Sequence, residues 1–271
     1  MNIYNAIPYS CDTFYYNLAN RLGIEKIAEY AHSMGLGQKT GIDLPDEVEG
    51  IVPSEEWKMK NYHEKWFAGE TISVGIGQDA VTATPIQLLR ALSGIANGGV
   101  LRWPHVLLPG QVPPEMQSAV RDSFPGSGEK TIALTTANWQ LITDAMANVT
   151  SSPIGTAYVA HLDGIDFAGK TGTADVVSGR QKNSTNKSTL PNAWFVGMAP
   201  RRNPDIAVAV LWEHGYWGNN SAKLASRVID AFVTKQRRRE NNLRLADTPT
   251  APPVAKPAAA APIPVPADPG Q

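Results

Sequence analysis

Several features that would assign a protein quickly to a class are missing from this sequence. It has one cysteine, Cys11, in 271 residues, so it can form no internal disulfide and has no paired-cysteine zinc signature. Its 24 basic and 25 acidic side chains give a net charge of −1, which provides no overall positive field for binding nucleic acid. The longest apolar run has seven residues, 206–212, whereas a membrane helix needs roughly 20. These absences argue against a disulfide-rich domain, a membrane span and charge-driven nucleic acid binding.

The composition divides the chain into two parts. Residues 1–247 have the mixed composition of a globular domain, and 42% of all side chains are hydrophobic. Of the 23 residues from 249 onward, 8 are proline and 7 are alanine, which leaves little side-chain area to bury. We therefore predict one ordered unit over 1–247 and a disordered tail over 248–271. The first residues, M-N-I-Y-N-A-I-P, have no signal-peptide layout, so we expect the sequence to begin inside a domain.

Apolar spacing and capping residues predict several helices. Two short helices are expected before Gly23 and before Gly35, and a third is expected from Pro85 to about residue 96, with T-P-I-Q at its start. A fourth fits residues 137–149, and a fifth begins near residue 224 and ends in the basic run 235–239.

Short apolar runs in the last third of the chain are typical of strands. They are Ile165 to Phe167, 193–198 and 206–212, separated by prolines and other turn residues. Strands packed against helices in this order predict an α+β fold.

Residues 164–171 read G-I-D-F-A-G-K-T and satisfy the phosphate-loop pattern G-x-x-x-x-G-K-[ST]. Such a site needs a strand before the loop and a helix that begins at the lysine. Here apolar residues alternate inside the loop and Gly172 follows Thr171, so the sequence favours a strand. The glycines at 75 and 77 likewise lack the adjoining helix and the downstream acid of a dinucleotide site.

Two other motifs carry side chains suited to chemistry. Residues 170–173 read K-T-G-T and place a cation, two hydroxyls and a glycine on a strand edge, which suits a peptide ending in a carboxylate. Ser10, Cys11 and Asp12 precede the first predicted helix. By themselves, serine and aspartate at that place are typical of a helix N-cap.

Taken together, S-C-D and K-T-G-T resemble the second and third active-site motifs of penicillin-recognising serine enzymes, in their order and at the spacing of large transpeptidases. Four further segments look like class B penicillin-binding proteins: G-E-T-I-S-V-G-I-G-Q from Gly69, T-P-I-Q-L from Thr84, A-N-G-G from Ala96 and A-W-F-V-G-M-A-P from Ala193. The resemblance covers roughly residues 1–235. It implies part of a transpeptidase fold similar to serine β-lactamases, with an antiparallel sheet flanked by helices.

The resemblance also implies a reaction, peptidoglycan D,D-transpeptidation in cell-wall synthesis and rod-shape maintenance. A serine attacks the penultimate D-Ala carbonyl of a stem peptide, terminal D-Ala leaves, and an amine of a second stem peptide takes the acyl group. β-Lactams imitate the donor. By this resemblance Ser10 would relay a proton to the leaving nitrogen, and Asp12 would fix the hydrogen bonds of its motif.

The third motif would bind the substrate. Lys170 would supply positive potential, the hydroxyls of Thr171 and Thr173 would bind the carboxylate, and Gly172 would let the substrate backbone approach. The N–H of Thr173 would form half of the oxyanion hole. No cofactor is implied as required, but in the full-length protein Cys11 would be one ligand of a structural zinc.

The first motif of the family, S-x-x-K, carries the nucleophile and its lysine base, and it does not occur before Ser10. Ser184 and Lys187 match these letters in a polar stretch after the third motif, which we interpret as a coincidence. We therefore expect no acylation by the family route. The family sheet also takes strands from sequence ahead of that motif, so we expect strand 206–212 to have an unpaired edge and the isolated chain to be marginally stable.

Two alternatives stay open. One is a nucleotide-binding phosphate-loop protein, and the other is a catalytically inactive module that binds stem peptides or partner proteins. The implied partners are stem peptides, β-lactams, and the glycosyltransferase and scaffold proteins of the elongation complex. The implied location is the periplasmic face of the bacterial inner membrane, with the anchor outside this sequence.

Overall fold

The computed structural model describes residues 1–108, 111–123, 129–176 and 189–247. The predicted tail, 248–271, lies outside these ranges, so the boundary at 247 stays a prediction. Two compact units divide the chain, Met1–Val233 and Thr234–Gln271. No helix of the described ranges is long and apolar enough to cross a membrane. The helices are α1 (Ile3–Tyr9), α2 (Asp12–Leu22), α3 (Ile24–Ser33), α4 (Glu55–Tyr62), α5 (Ala68–Val74), α6 (Pro85–Ala96), α7 (Pro114–Ser123), α8 (Thr136–Ser151) and α9 (Gly218–Asp247).

All five predicted helices are present, as α2, α3, α6, α8 and α9. A reciprocal capping box starts α6: the Thr84 hydroxyl accepts from the Gln87 N–H at 3.2 Å, and the Gln87 side chain accepts from the Thr84 N–H at 2.9 Å. The hydroxyl of Thr135 caps α8 by accepting a single bond from the Asn138 N–H at 3.3 Å. Helix α9 does not end in its basic run but continues to Asp247, because the following residues include the strong helix formers Glu, Leu, Arg and Ala.

The main sheet is antiparallel. Strands β3 (Ala168–Ala174), β4 (Asn192–Ala199) and β5 (Ile206–Trp212) lie in the order β3-β4-β5, and a separate pair joins β1 (Val100–Leu101) to β2 (Lys130–Thr131). Within the part of the chain that the structure describes, β5 pairs only with β4. This confirms the expected unpaired edge, and the mixture of helices with antiparallel strands confirms the α+β fold.

One predicted strand is wrong. Ile165, Asp166 and Phe167 are not in the sheet, and β3 begins at Ala168. The carbonyl of Phe167 accepts a hydrogen bond from the Thr150 hydroxyl, and the Asp166 carboxylate pairs with the Arg201 guanidinium at 2.9 Å. The Phe167 carbonyl and the Asp166 carboxylate are therefore bonded to side chains and not to a neighbouring strand.

Helix α8 holds together the elements around the site, since it packs against both α1 and β3. Val149 and Ala145 of α8 are fully buried with Phe195 of β4 and Ile229 of α9. Burying a large apolar side chain contributes roughly 1.5–3 kcal/mol. Because α8 contacts both α1 and β3, it places these two elements near each other.

Candidate active site

Ser10 and Lys170, which are 160 positions apart, are in direct contact. The Nζ of Lys170 donates one hydrogen bond to Ser10 Oγ at 2.8 Å and another to the Thr171 carbonyl at 2.8 Å. Lys170 lies on β3, and Ser10 lies in the turn between α1 and α2. The fold therefore brings the two predicted motifs together.

The turn at Ser10 has an uncommon backbone conformation. Its φ of 50° and ψ of 53° are left-handed, and its N–H donates to the Ile7 carbonyl at 3.1 Å as α1 ends. This conformation costs a non-glycine residue roughly 1–2 kcal/mol. The N-cap interpretation is wrong, because Cys11 is the N-cap residue of α2 and has no side-chain capping bond. The Ser10 hydroxyl instead accepts from Lys170.

The ammonium of Lys170 lies in a half-buried position. Burial lowers the pKa of Lys170 to about 8, and the negative charge of Asp12 offsets part of that effect. An ammonium has three donors, and in the described ranges two of them have protein acceptors, on Ser10 and Thr171. The third donor is left for a ligand in the cavity.

Asp12 is exposed at the start of α2 and lines the cavity. Its carboxylate makes no hydrogen bond to another described residue, so in this structure it acts on Lys170 through its charge. The role predicted for Asp12, fixing the hydrogen bonds of its motif, stays a prediction.

The hydroxyls of the third motif have protein partners. Thr171 Oγ1 lies 2.7 Å from Thr156 Oγ1, and Thr173 Oγ1 accepts from the Gly218 N–H at 3.4 Å. A Cβ on Gly172 would lie 3.1 Å from the Cβ of Trp194 on the neighbouring strand. The glycine is therefore required at least in part by packing within the sheet.

A cavity of about 690 Å³ collects these groups along the free edge of β3, the edge that has no partner strand within the described ranges. Tyr9, Tyr15 and Trp217 add aromatic surface to its lining. Ligand sites of about 300–1,000 Å³ combine apolar walls with a few polar groups, and this cavity has both. It can hold a short peptide with its carboxylate near Lys170.

Three contributors to the site were missed by sequence reasoning. Thr156 and Gly218 bond to the threonine hydroxyls, and Gln78 bonds to the backbone of β3. The only signal was for Gln78, which follows the Gly75 and Gly77 pair. No local pattern marks Thr156 or Gly218, because both act through tertiary contacts.

The phosphate-loop alternative is wrong. Lys170 and Thr171 lie inside strand β3, and no helix begins there to direct its N–H groups at a phosphate. The predicted coincidence at Ser184 and Lys187 lies outside the described residues. The letters S-x-x-K also occur at 127–130, where Lys130 lies on β2, is exposed and does not line the cavity.

The predicted zinc ligand, Cys11, has a hydrogen-bonded thiol. Its Sγ lies 3.3 Å from Thr13 Oγ1, and this bond lowers the pKa of the Cys11 thiol. Among the residues that the structure describes, no three His, Cys, Asp or Glu side chains cluster closely enough to hold a metal. These residues do not by themselves form a zinc site around Cys11.

Residues 1–233 match the penicillin binding protein transpeptidase domain. The match includes Ser10, Lys170 and the cavity between them. The chain belongs to this family, the penicillin-binding protein transpeptidases.

Within the family the chain is similar to the peptidoglycan D,D-transpeptidase MrdA. It is 41% identical to MrdA of Acinetobacter baumannii over 256 residues, which are 91% of this chain and 36% of that relative. It is 32% identical to MrdA of Escherichia coli K12 over 239 residues, covering 86% of this chain and 37% of that relative. The chain therefore spans little more than a third of the length of these relatives.

Solved structures of penicillin-binding protein 2 share the fold. The complex of that protein with MreC from Helicobacter pylori matches with a TM-score of 0.72 and 30% identity, over 86% of this chain and 40% of that one. The Pseudomonas aeruginosa protein in complex with WCK 5153 matches with a TM-score of 0.70 and 35% identity, over 86% and 49%. These matches confirm the family resemblance and the transpeptidase fold.

Proposed function

We propose that this chain is part of a peptidoglycan D,D-transpeptidase and binds stem peptides that end in D-Ala-D-Ala. The observation that carries the proposal is the contact between Lys170 Nζ and Ser10 Oγ beside the threonine hydroxyls of an edge strand. Ammonium and hydroxyl groups are strong donors to a carboxylate. An edge strand can also pair with an extended peptide.

In this proposal the residues of the two motifs divide carboxylate binding, proton transfer and charge stabilisation among them. The remaining N–H of Lys170 and the hydroxyls of Thr171 and Thr173 bind the terminal carboxylate. Ser10 lines the cavity beside Lys170, and its hydroxyl relays a proton to the leaving D-Ala nitrogen. The N–H of Thr173 stabilises the negative charge that develops on the attacked carbonyl oxygen.

The nucleophile of the family reaction belongs to an S-x-x-K motif that does not precede Ser10 in this sequence. We propose that the residues of this chain bind and position the peptide, and that acyl transfer uses the serine of an S-x-x-K motif. We also propose that β-lactams bind at the same residues.

Peptide binding tests the proposal. NMR titration of the 15N-labelled chain with acetyl-Lys-D-Ala-D-Ala should shift the amide signals of β3, and the peptide with a C-terminal amide should bind at least tenfold more weakly. Thr173→Val should weaken binding of the carboxylate form. Thr131→Val, at an exposed threonine of β2 away from the cavity, is the matched control and should not.

Covalent labelling separates binding from acylation. The purified chain should not be labelled by a fluorescent penicillin. Labelling that is lost in Ser184→Ala or Ser127→Ala would contradict the assignment of acyl transfer to an S-x-x-K motif before Ser10. Equal binding of the carboxylate and amide peptides would contradict the proposed recognition, and no binding of either would overturn the function.

The relatives support a proposal about partners and location. One solved relative binds MreC, and another belongs to a peptidoglycan synthase complex that coordinates polymerization and crosslinking. We propose that the protein acts at the periplasmic face of the inner membrane, beside a scaffold protein and a glycan-polymerising partner.

A further inference from the structure

The free edge of β3 presents backbone groups that a peptide could use. In an antiparallel strand both polar groups of one residue point to the same side, and successive residues alternate. The carbonyls of Thr171 and Thr173 each accept a bond from a side chain, and we infer from these contacts that both residues face the edge away from β4. Asp175, two residues further on, faces the same way.

The side chain of Gln78 covers part of this edge. Its Nε2 donates to the Thr173 carbonyl at 2.8 Å, and its Oε1 accepts from the Asp175 N–H at 3.2 Å. One primary amide thus pairs with two backbone groups, as a peptide unit of an added strand would. This contact is not part of the pairing between β3 and β4, and it involves none of the side chains that we propose bind the carboxylate.

The loop that carries Gln78 holds it in place. Its neighbours Gly77 and Asp79 have φ values of 75° and 66°, and the Gln78 N–H donates to the Ser73 carbonyl at the end of α5 at 3.0 Å. The side chain is half-buried and lines the cavity. It is therefore a built part of the site.

The number of hydrogen bonds that each backbone group can make decides which groups of Thr173 and Asp175 a ligand can still use. An N–H can donate to one acceptor, so the Asp175 N–H is used, whereas the Thr173 carbonyl has a second lone pair. The Thr173 N–H points to the same edge as its carbonyl, which Gln78 contacts. A peptide can therefore pair with Thr173 but not with Asp175 unless Gln78 moves.

Strand direction identifies the part of the peptide affected. A peptide pairing antiparallel to β3 with its carboxylate at Lys170 places its N-terminal side toward Asp175. We propose that Gln78 is a specificity-determining residue that stops strand pairing at Thr173, so that only the last residues of the peptide are recognised. This inference rests on the proposed function for the position of the carboxylate.

Two peptides of different length test the proposal. Acetyl-D-Ala-D-Ala and a longer acetylated peptide with three L-residues before D-Ala-D-Ala are titrated into the 15N-labelled chain. For the unaltered chain the two dissociation constants should agree within about twofold. In Gln78→Ala the longer peptide should bind about tenfold more tightly than the shorter one, a gain of about 1.4 kcal/mol from newly available backbone bonds.

Gln38→Ala is the matched control, because the Gln38 side chain also donates to a backbone carbonyl, that of His32 at 2.7 Å, and does not line the cavity. It should leave the length preference unchanged. Hydrogen exchange at the Asp175 amide gives an independent signature. Exchange should be faster in Gln78→Ala and should slow again only with the longer peptide.

Each outcome of these titrations either supports or overturns the proposed role of Gln78. A length preference that appears in Gln78→Ala alone supports the proposal. Equal weakening of both peptides would assign Gln78 a purely structural role and overturn it, as would unchanged affinities. If neither peptide bound the unaltered chain, the proposed function would fail, and this inference with it.

Discussion

Replacing Lys170 by methionine should stabilise the chain while removing ligand binding. Burial lowers the pKa of Lys170 from 10.5 to about 8, a difference of about 2.5 units. At about 1.36 kcal/mol per unit, keeping this ammonium charged costs the folded state about 3 kcal/mol at neutral pH. Methionine has a similar length and no charge, so Lys170→Met removes that cost. Loss of the bond to Ser10 offsets part of the gain, which leaves about 1–3 kcal/mol.

The pH dependence follows from the sign of the shift. Between pH 8 and 10.5 the unfolded chain keeps a proton on Lys170 that the folded chain has lost, so the stability of the unaltered protein rises across this window. Lys170→Met has no such rise. The advantage of the variant should therefore be complete below about pH 8 and should disappear toward pH 10.5.

Thermal melts followed by circular dichroism at pH 6, 7, 8 and 9.5 measure this difference. At pH 7 we expect Tm to rise by roughly 3–10 °C, since about 2–4 °C corresponds to 1 kcal/mol in a domain of this size. Lys26→Met is the control, because Lys26 is exposed on α3 and its replacement should change Tm by less than about 2 °C. A lower Tm for Lys170→Met at pH 7, or an advantage that does not shrink with pH, would refute the reasoning.

Three further predictions concern the pH dependence of ligand binding, the cap of α6 and the edge of the sheet. Affinity for the D-Ala-D-Ala peptide should fall above pH 8 as Lys170 loses its proton, and a dissociation constant that stays constant from pH 7 to 9.5 would contradict its role. Thr84→Val should lower the stability of the chain by about 1 kcal/mol in denaturant titrations, because it removes the cap of α6; an unchanged unfolding midpoint would show that the cap is not needed. By hydrogen exchange, the amides of β5 that point away from β4 should exchange much faster than those of β4, which is paired on both sides; equal protection would mean that the edge is covered.

The sequence predicted the elements whose signals are local. The T-P-I-Q capping box marks the start of α6, and the apolar runs mark β4 and β5. It failed for α1, α4, α5 and α7, which have ten residues or fewer. Such short helices are stabilised mainly by tertiary packing. The strand error at 165–167 has a similar origin, because bonds to Thr150 and Arg201 hold these residues outside the sheet.

The residues of the candidate site also fall into those that local motifs predicted and those that only tertiary contacts reveal. Ser10, Lys170 and the two threonines could be named from two short motifs, because their spacing and residue types resemble one family. The N-cap interpretation of Ser10 was wrong because local preference cannot reveal a lysine 160 positions away. Gln78, Thr156 and Gly218 were missed for the same reason.

The sequence by itself determined which side chains are available for chemistry, where the long helices begin, and the family to which the chain belongs. These depend on residue identity and on interactions within a few positions along the chain. Only the tertiary structure decided that Ser10 meets Lys170, that Gln78 covers the end of the β3 edge, and that burial lowers the pKa of Lys170. The physical reason is that these contacts join residues about 95 to 160 positions apart, and packing of α8 against α1 and β3 brings the two halves of the site together.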